Sequence, residues 1–265
     1  MPTQQLIYES AVPVSSARHS AWFVEVGGSY AFARHVNSLP LMAVEFPNAA
    51  VEYPIIFAGD DDSIMPAVIL GLRTGENLFV GDADQWAGKY VPAFARRYPF
   101  VFSRSDDGNT FTLCIDESFK GLNRESRGAA LFDAEGKPTA YVQNVLAFLQ
   151  EYQAQFERTQ AFCRKLKQLG LLDPMQAQIT TGGGEKLSLG GFQAVNRERL
   201  KALSGDVLAE LARTDELDLV YLHLHSMRNL QAMVERLAGG TATAGGNAQP
   251  EEPAAPADTA APNLH

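Results

Sequence analysis

The chain has 265 residues, with 31 acidic and 22 basic side chains and a formal net charge of −9. Hydrophobic residues make up 46% and charged residues 20%, which is ordinary for a globular protein with a full core. No apolar run approaches the roughly 18 to 20 residues that a transmembrane helix needs. The acidic balance excludes general binding to nucleic-acid backbones, and two cysteines exclude a disulfide framework.

The N-terminal half, from about residue 21 to 117, predicts short antiparallel strands joined by tight loops. Its strand candidates share β-branched or aromatic runs and lie at 22–26, 54–58, 65–72, 78–80, 100–104 and 110–116. The loops at 73–77 and 106–109 have hairpin length, which indicates antiparallel pairing because a parallel pair needs a longer crossover. Short helical turns are expected at 41–45 and 93–97, where nearby prolines prevent longer helices.

The C-terminal half predicts helices around one further hairpin. Apolar residues recur at three- and four-residue spacing from Thr139 to Leu169, which indicates a single amphipathic helix about 46 Å long. Alternating apolar residues over 175–189 predict the hairpin. Asn196 and Ser204 are expected helix caps, and a last helix opens at 214–216 and carries one apolar stripe to Leu237.

These patterns predict an α+β fold, with an antiparallel sheet in the N-terminal half packed by the long amphipathic helix and the C-terminal helices. Residues 1–238 are expected to form a single globular domain. Residues 239–265 consist mainly of Gly, Ala, Pro and Thr without Lys or Arg, so we expect a disordered tail. The long helix is either the backbone of the fold or a docking surface, which leaves a homo-oligomer through the 139–169 helix open.

Motifs for metal or phosphate binding are incomplete. The run His223-Leu224-His225 lies in a predicted helix, where the two side chains diverge by about 200° and cannot share one ion. His223 faces the apolar stripe, which is typical of a hydrogen-bonded core histidine. The glycine run at 182–186 lacks the lysine position of a phosphate loop, and the acidic triplet at 60–62 is interpreted as a solvated turn. We therefore expect no metal and no cofactor.

Polar residues within otherwise apolar segments are the candidates for a ligand site: Arg34, His35, Asn37, Glu45, Arg96, Arg97 and His223. The pair Arg96 and Arg97 lies among aromatic residues, and such a pair can hold a carboxylate or phosphate through two hydrogen bonds. In the alternative interpretation, each arginine packs its stem on an aromatic ring and closes a salt bridge, with Glu45 or Glu52 as partner. The hypothesis is that an anionic group binds beside Arg96 and Arg97.

Several segments, in chain order, carry a resemblance to a known family. They are Asn37–Leu41 and Glu45–Pro47 within 30–59, then 68–73, 76–79, 90–92, 96–100, 113–117, 174–178, 187–192 and 223–229. Together they resemble the SapC-like family of bacterial proteins, over the whole body but not the tail. The resemblance implies one globular unit from a family named after a surface-array (S-layer) locus. Its members are often neighbours of outer-membrane receptor and flavin-halogenase genes, and it carries over no catalytic residue.

The expected function is therefore that of a non-catalytic binding or accessory protein, associated with surface-layer or outer-membrane-receptor systems and having a protein partner. The alternative is an enzyme, or an enzyme subunit, that acts on a small anionic substrate in a pocket lined by Arg and His. We expect no nucleic-acid partner and no membrane span. No export signal is evident in the sequence, so the cytoplasm is the expected location.

Overall fold

The computed structural model describes residues 6–239 apart from 26, 61–62, 106–109 and 182. The predicted disordered tail lies outside the described residues except for Gly239, which ends the last helix. The predicted turn at 106–109 also lies outside them, as does most of the acidic triplet. A single domain over 1–238 stays a prediction.

The described strands pair antiparallel throughout. They are β1 Ala11–Pro13, β2 Phe23–Val24, β3 Ser38–Pro40, β4 Ile55–Ala58, β5 Met65–Ile69, β6 Phe100–Arg104, β7 Phe111–Asp116, β8 Leu122–Asn123, β9 Ala129–Ala130, β10 Leu172–Thr180 and β11 Lys186–Val195. They form three sheets, with the orders β1-β7-β6, β10-β11-β4-β5-β3 and β8-β2-β9. The hairpin of β10 and β11 thus extends a sheet begun by N-terminal strands, through the single aligned pair Gln193 and Phe57.

Helices and helical turns cover these sheets. The helices are α1 Ser16–His19, α2 Phe46–Ala49, α3 Ala93–Arg96, α4 Ala140–Gln168, α5 Arg197–Lys201, α6 Gly205–Arg213, α7 Glu216–Ser226 and α8 Asn229–Gly239. Short 3₁₀ turns lie at Ala31–Ala33 and Ala43–Glu45. This arrangement confirms the α+β prediction. None of the described helices, α4 included, is both long and apolar enough to cross a membrane.

Helix α4 confirms the predicted long amphipathic helix. The Thr139 hydroxyl accepts a hydrogen bond from the Val142 N–H at its start, and Gly170 adopts a positive φ of 64° just after its end. Thr159, a polar interruption of the apolar stripe, is fully buried. Its hydroxyl donates to the Gln155 carbonyl (2.7 Å) and accepts from the Ala43 N–H (2.9 Å), so it ties α4 to the Ala43–Glu45 turn.

Two sequence predictions are wrong. Residues 78–80 form no strand, and Val80 makes only an isolated bridge to Trp86. Backbone bonds there are isolated, from the Leu78 N–H to the Leu70 carbonyl and from the Ala87 N–H to the Phe79 carbonyl. The Asn77 side chain takes the Phe79 N–H that a ladder would use.

The predicted last helix is in fact two helices, α7 and α8, separated at residues 227–228. The Ser226 hydroxyl occupies the His223 carbonyl at 2.7 Å, which a continuous helix would offer to a backbone N–H. Asn229 then donates to the carbonyls of Ala50 and Tyr53, which fixes the start of α8 against the segment before β4.

Candidate ligand-binding site

A pocket of about 460 Å³ lies between α4 and the sheet β1-β7-β6. This volume falls within the range of small-molecule sites. We call it the Arg97 pocket, and its lining residues are Tyr8, Ala11, Pro13, Arg97, Val101, Phe102, Ser103, Arg104, Phe111, Cys114, Leu149, Tyr152, Gln153 and Phe156. Eight of these fourteen side chains are apolar, so the walls favour an apolar ligand surface.

Arg97 is the buried cation of this pocket. It caps the C-terminus of α3, where its N–H donates to the Ala93 carbonyl at 3.0 Å, and only 5% of the residue is exposed. Within the described part of the chain, its Nε and Nη2 atoms are buried and have no hydrogen-bond partner. An unpaired buried charge is unfavourable, which makes Arg97 unusual among folded-protein arginines.

Aromatic rings enclose the Arg97 guanidinium. Its central carbon lies 4.1 Å from the ring centroid of Phe94, 4.8 Å from that of Tyr152 and 5.6 Å from that of Tyr8. Cation–π attraction compensates part of the desolvation of the charge, by about 0.5 to 2 kcal/mol for a favourable ring. It supplies no acceptor for the N–H groups of Nε and Nη2, so their hydrogen-bonding capacity is left unused.

Two other arginines show what the same guanidinium edge does when it has a partner. Arg18 donates from Nε and Nη2 to the two oxygens of Glu117, at 2.6 and 2.5 Å. Arg73 donates from the same two atoms to the oxygens of Glu185, at 3.3 and 2.5 Å. In both of these exposed arginines a carboxylate occupies the guanidinium edge that is buried and unpartnered in Arg97.

The phenols and the thiol in the pocket walls have raised pKa values and are therefore neutral near pH 7. Burial raises the pKa of Tyr8 to about 12, and its hydroxyl donates to the Phe100 carbonyl at 2.7 Å. Burial also raises the pKa of Tyr152 and of the Cys114 thiol. Among the described residues that line the pocket there is no histidine and no carboxylate, so those walls offer no acid or base that titrates near neutral pH.

Arg34, His35 and Asn37 lie elsewhere. Arg34 donates to the Asp84 carboxylate at 2.6 Å and to the Gly81 carbonyl at 2.7 Å. One nitrogen of the exposed His35 ring lies 3.3 Å from the Gly75 carbonyl oxygen. The Asn37 carbonyl accepts hydrogen bonds from the N–H groups of residues 70 and 71. None of the three lines the Arg97 pocket, and their role in ligand binding stays a prediction.

Glu45 and Arg96 do not form the salt bridge that the alternative interpretation expects. Glu45 is 4% exposed and accepts from the N–H groups of Met42 and Ala93 and from the Tyr90 hydroxyl, at 2.7 to 2.9 Å. The Arg96 guanidinium packs over the rings of Tyr90 and Phe148.

Both guanidinium groups lie over aromatic rings, where the alternative interpretation expects the arginine stems to pack. No described carboxylate lies within salt-bridge distance of Arg96 or Arg97, so the predicted ion pairs with Glu45 or Glu52 are wrong. The Glu52 carboxylate instead accepts from the N–H groups of Lys89 and Tyr90.

His223 lies in the core as a fully hydrogen-bonded side chain. Its Nε2 accepts from the Val195 N–H at 3.0 Å, so its Nδ1 carries the proton and donates to the Ile55 carbonyl at 2.8 Å. Burial lowers the pKa of His223 to about 4, so the ring is neutral at pH 7. We call His223, Ser226 and Asn229, with their backbone partners, the His223 seam.

The structure therefore brings one of the seven candidate residues, Arg97, into the pocket. Tyr8 and Tyr152 are the residues that sequence analysis missed as part of the site. Tyr152 lies on the predicted apolar stripe of α4. An aromatic residue with a hydroxyl on such a stripe is the signal that could have identified it. Tyr8 precedes all predicted elements, and no local pattern points to its contact with Arg97. The described residues contain no cluster of His, Cys, Asp or Glu that could hold a metal ion.

No curated protein and no solved structure matches the chain. A family model described as SapC matches residues 14–233, a segment that includes Arg97, most of the pocket walls and the whole His223 seam. Since this match covers well over half of the sequence, the chain belongs to the SapC family.

Proposed function

We propose that this SapC-family protein is a non-catalytic binding protein that holds a small anionic ligand in the Arg97 pocket. The observation that carries the proposal is the buried guanidinium edge of Arg97, which lacks a hydrogen-bond partner among the described residues. A buried cation gains most from an anion that arrives with the ligand, because water and protein carboxylates do not satisfy it. The pocket volume of about 460 Å³ supplies room for such a ligand.

The proposal favours binding over catalysis because of the groups that line the pocket. General acid–base chemistry needs a group that titrates near the working pH. The phenols of Tyr8 and Tyr152 and the Cys114 thiol all have raised pKa values. The alternative, an enzyme with Arg and His in one pocket, needs a histidine beside Arg97, and His223 instead bonds to β4 and β11.

A thermal-unfolding screen tests the binding function. We expect at least one anion in a panel of inorganic phosphate, acetate, succinate, decanoate and 2-naphthylacetate to raise the unfolding temperature of the full chain with increasing concentration. The same anion should leave the Arg97→Gln variant unshifted. If no member of the panel stabilises the protein, or if the variant responds as the parent does, the pocket is not an anion site.

We propose further that the protein is an accessory of surface-layer or outer-membrane-receptor systems with a protein partner, and the family relationship alone supports this role. The cytoplasmic location is a separate proposal, carried over from the sequence expectation. Affinity purification of the full chain from its host should enrich a component of such a system. Purification that repeatedly enriches none contradicts the accessory role. Light scattering after size exclusion tests the proposed homo-oligomer through the 139–169 helix.

A further inference from the structure

We infer that the ligand of the Arg97 pocket is a monocarboxylate with a sizeable apolar body, whose carboxylate binds at Arg97 and whose body extends along β6 toward Phe111. This inference rests on the proposed binding function and narrows it to one class of ligand. It combines three observations: the unpartnered guanidinium, the apolar walls, and the change in exposure along the pocket.

The charge of the pocket favours a single carboxylate as the head group. Arg97 is the only deeply buried cation among the described lining residues, since Arg104 lies at the exposed end of β6. One guanidinium matches one carboxylate in charge. The Nε and Nη2 atoms of Arg97 are buried, so the carboxylate reaches them by displacing the rings of Tyr8 and Tyr152 that lie against the guanidinium. Phosphate near neutral pH carries up to two charges, so one of them would stay uncompensated among apolar walls.

The exposure of the walls gives the orientation of the ligand. At one end of the pocket Arg97, Tyr8 and Tyr152 are 5%, 8% and 8% exposed. Along β6 the residues pass from buried Phe100 and Val101 to exposed Ser103 and Arg104. The charged head therefore lies at the closed end, where electrostatic attraction is strongest, and the rest of the ligand points outward.

Apolar side chains continue to the open end of the pocket, and they indicate that the body of the ligand is apolar. Phe111 is 38% exposed, and its ring lies 5.6 Å from that of Phe102. Val101, Leu149 and Phe156 complete apolar walls on β6 and α4. An apolar body that covers these surfaces gains free energy in proportion to the area removed from water, whereas acetate or succinate would leave them wet.

Calorimetric titration of the full chain with matched pairs of compounds tests the head group. The pairs are 2-naphthylacetate with 2-naphthylacetamide, and decanoate with decanamide, so that each pair differs in charge and not in its apolar body. We expect at least one carboxylate to bind about tenfold or more tightly than its amide. We also expect it to bind more tightly than acetate, succinate and inorganic phosphate. Comparing the affinities of 2-naphthylacetate and decanoate shows whether the pocket prefers a planar or a flexible apolar body.

Arg97→Gln and Arg104→Gln form the matched variants, because both remove one positive charge from the same pocket. Arg97→Gln should abolish the difference between carboxylate and amide, while Arg104→Gln should change it by less than about threefold. A urea-unfolding curve for each variant shows that it is folded, and the carboxylate–amide comparison on the unaltered protein is informative even if a variant is not.

The two proposals fail in different ways. Equal affinity for carboxylate and amide, or loss of the preference in Arg104→Gln and not in Arg97→Gln, overturns the inferred position of the head group. Tighter binding of phosphate or succinate through Arg97 overturns the ligand class but leaves anion binding intact. If no anion binds at all, the proposed function itself is wrong.

Discussion

The His223 seam and the Arg97 pocket both bury polar side chains, yet they differ in how the polar atoms are satisfied. In the seam, both ring nitrogens of His223 bond to backbone groups of other elements. Ser226 accepts from the Ile55 N–H at 2.9 Å, and Asn229 donates to two carbonyls. In the pocket, two buried N–H-bearing atoms of Arg97 have no described partner. The contrast separates buried polar groups that are fully hydrogen-bonded from a buried guanidinium that is not, and the proposed ligand site rests on the latter.

The seam has an evident structural purpose in the sheet. Strands β4 and β11 align through only one residue pair, so Ile55 of β4 lacks a β11 partner in the ladder. His223 lies between the strands and bonds to Val195 of β11 and to Ile55 of β4. Side chains of α7 thus complete hydrogen bonds that the short ladder leaves open, which explains the polar residues at the centre of a buried helix face.

His223→Leu should lower the free energy of unfolding more than any other substitution considered, because it removes the central side chain of the His223 seam. The leucine fills a similar volume but leaves the Val195 N–H and the Ile55 carbonyl buried without partners. At about 1 to 3 kcal/mol for each group, we expect a loss of about 4 kcal/mol in the free energy of unfolding. His225→Leu, at an exposed position of α7, should change it by less than about 0.5 kcal/mol. Urea unfolding measures both, and equal effects would refute a structural role for His223.

Low pH should reduce the contribution of His223 to the stability of the unaltered protein. Burial lowers the pKa of His223 to about 4, against an ordinary value of 6.5, so the unfolded chain binds a proton more readily than the folded one. The stabilisation is complete above pH 6.5 and is lost as the pH falls from there toward 4. We expect the free energy of unfolding to fall by about 2 kcal/mol between pH 7 and pH 5.

This pH dependence can be assigned to His223 by comparison with the leucine variant. Urea unfolding at both pH values gives the loss for each protein. Between pH 7 and pH 5, the fall in the free energy of unfolding should be about 2 kcal/mol smaller for His223→Leu than for the parent. The carboxyl groups of Asp116 and Glu117, whose pKa values are lowered, act mainly below pH 5 and do not obscure the comparison. An unchanged pH dependence in the variant contradicts the assignment.

Asp116 is a buried carboxylate near the pocket, and unlike Arg97 both of its side-chain oxygens accept hydrogen bonds. Burial raises the pKa of this carboxyl, but hydrogen bonds from the N–H groups of Glu9, Ser118 and Ser10 and from the Ser118 hydroxyl outweigh it and lower the pKa overall. Asp116→Asn turns one acceptor into a donor that faces N–H groups.

We expect Asp116→Asn to lower the free energy of unfolding by between about 1 and 2 kcal/mol. Asp82→Asn, at an exposed loop position, is the matched control and should leave it nearly unchanged. Unfolding curves at pH 7 measure both. Asp116 accepts from the N–H groups of Glu9 and Ser10, which follow Tyr8 in the chain. If Asp116→Asn leaves the free energy of unfolding unchanged, other contacts hold this segment.

The sequence allowed most of the elements to be predicted, because their signals are local. The apolar spacing of α4, its cap at Thr139 and the alternation in β10 and β11 all lie within short windows of sequence. The division into α7 and α8 was not predictable in this way. It depends on Ser226 and Asn229 bonding to residues more than 170 positions away.

The candidate site was predicted only in part, for the same reason. Arginines among aromatic residues drew attention to Arg97, but the same signal also selected Arg96, whose Nε is satisfied by the Val91 carbonyl. What distinguishes Arg97 is the absence of a described partner for its Nε and Nη2 atoms, and that is a property of the tertiary structure. Tyr8 and Tyr152 reach the guanidinium from distant parts of the chain, so no spacing rule connects them to it.

Arg97→Met should change the free energy of unfolding of the ligand-free protein only slightly. Methionine removes an unpaired buried charge, which favours folding, and gives up cation–π contacts with three rings, which opposes it. Because the two contributions have similar size and opposite sign, the free energy of unfolding should change by less than about 1 kcal/mol. Urea unfolding in the absence of added anions measures the change. If Arg97→Met lowers the free energy of unfolding as much as His223→Leu does, Arg97 has a structural role like that of His223, which contradicts its proposed role as a ligand-binding residue.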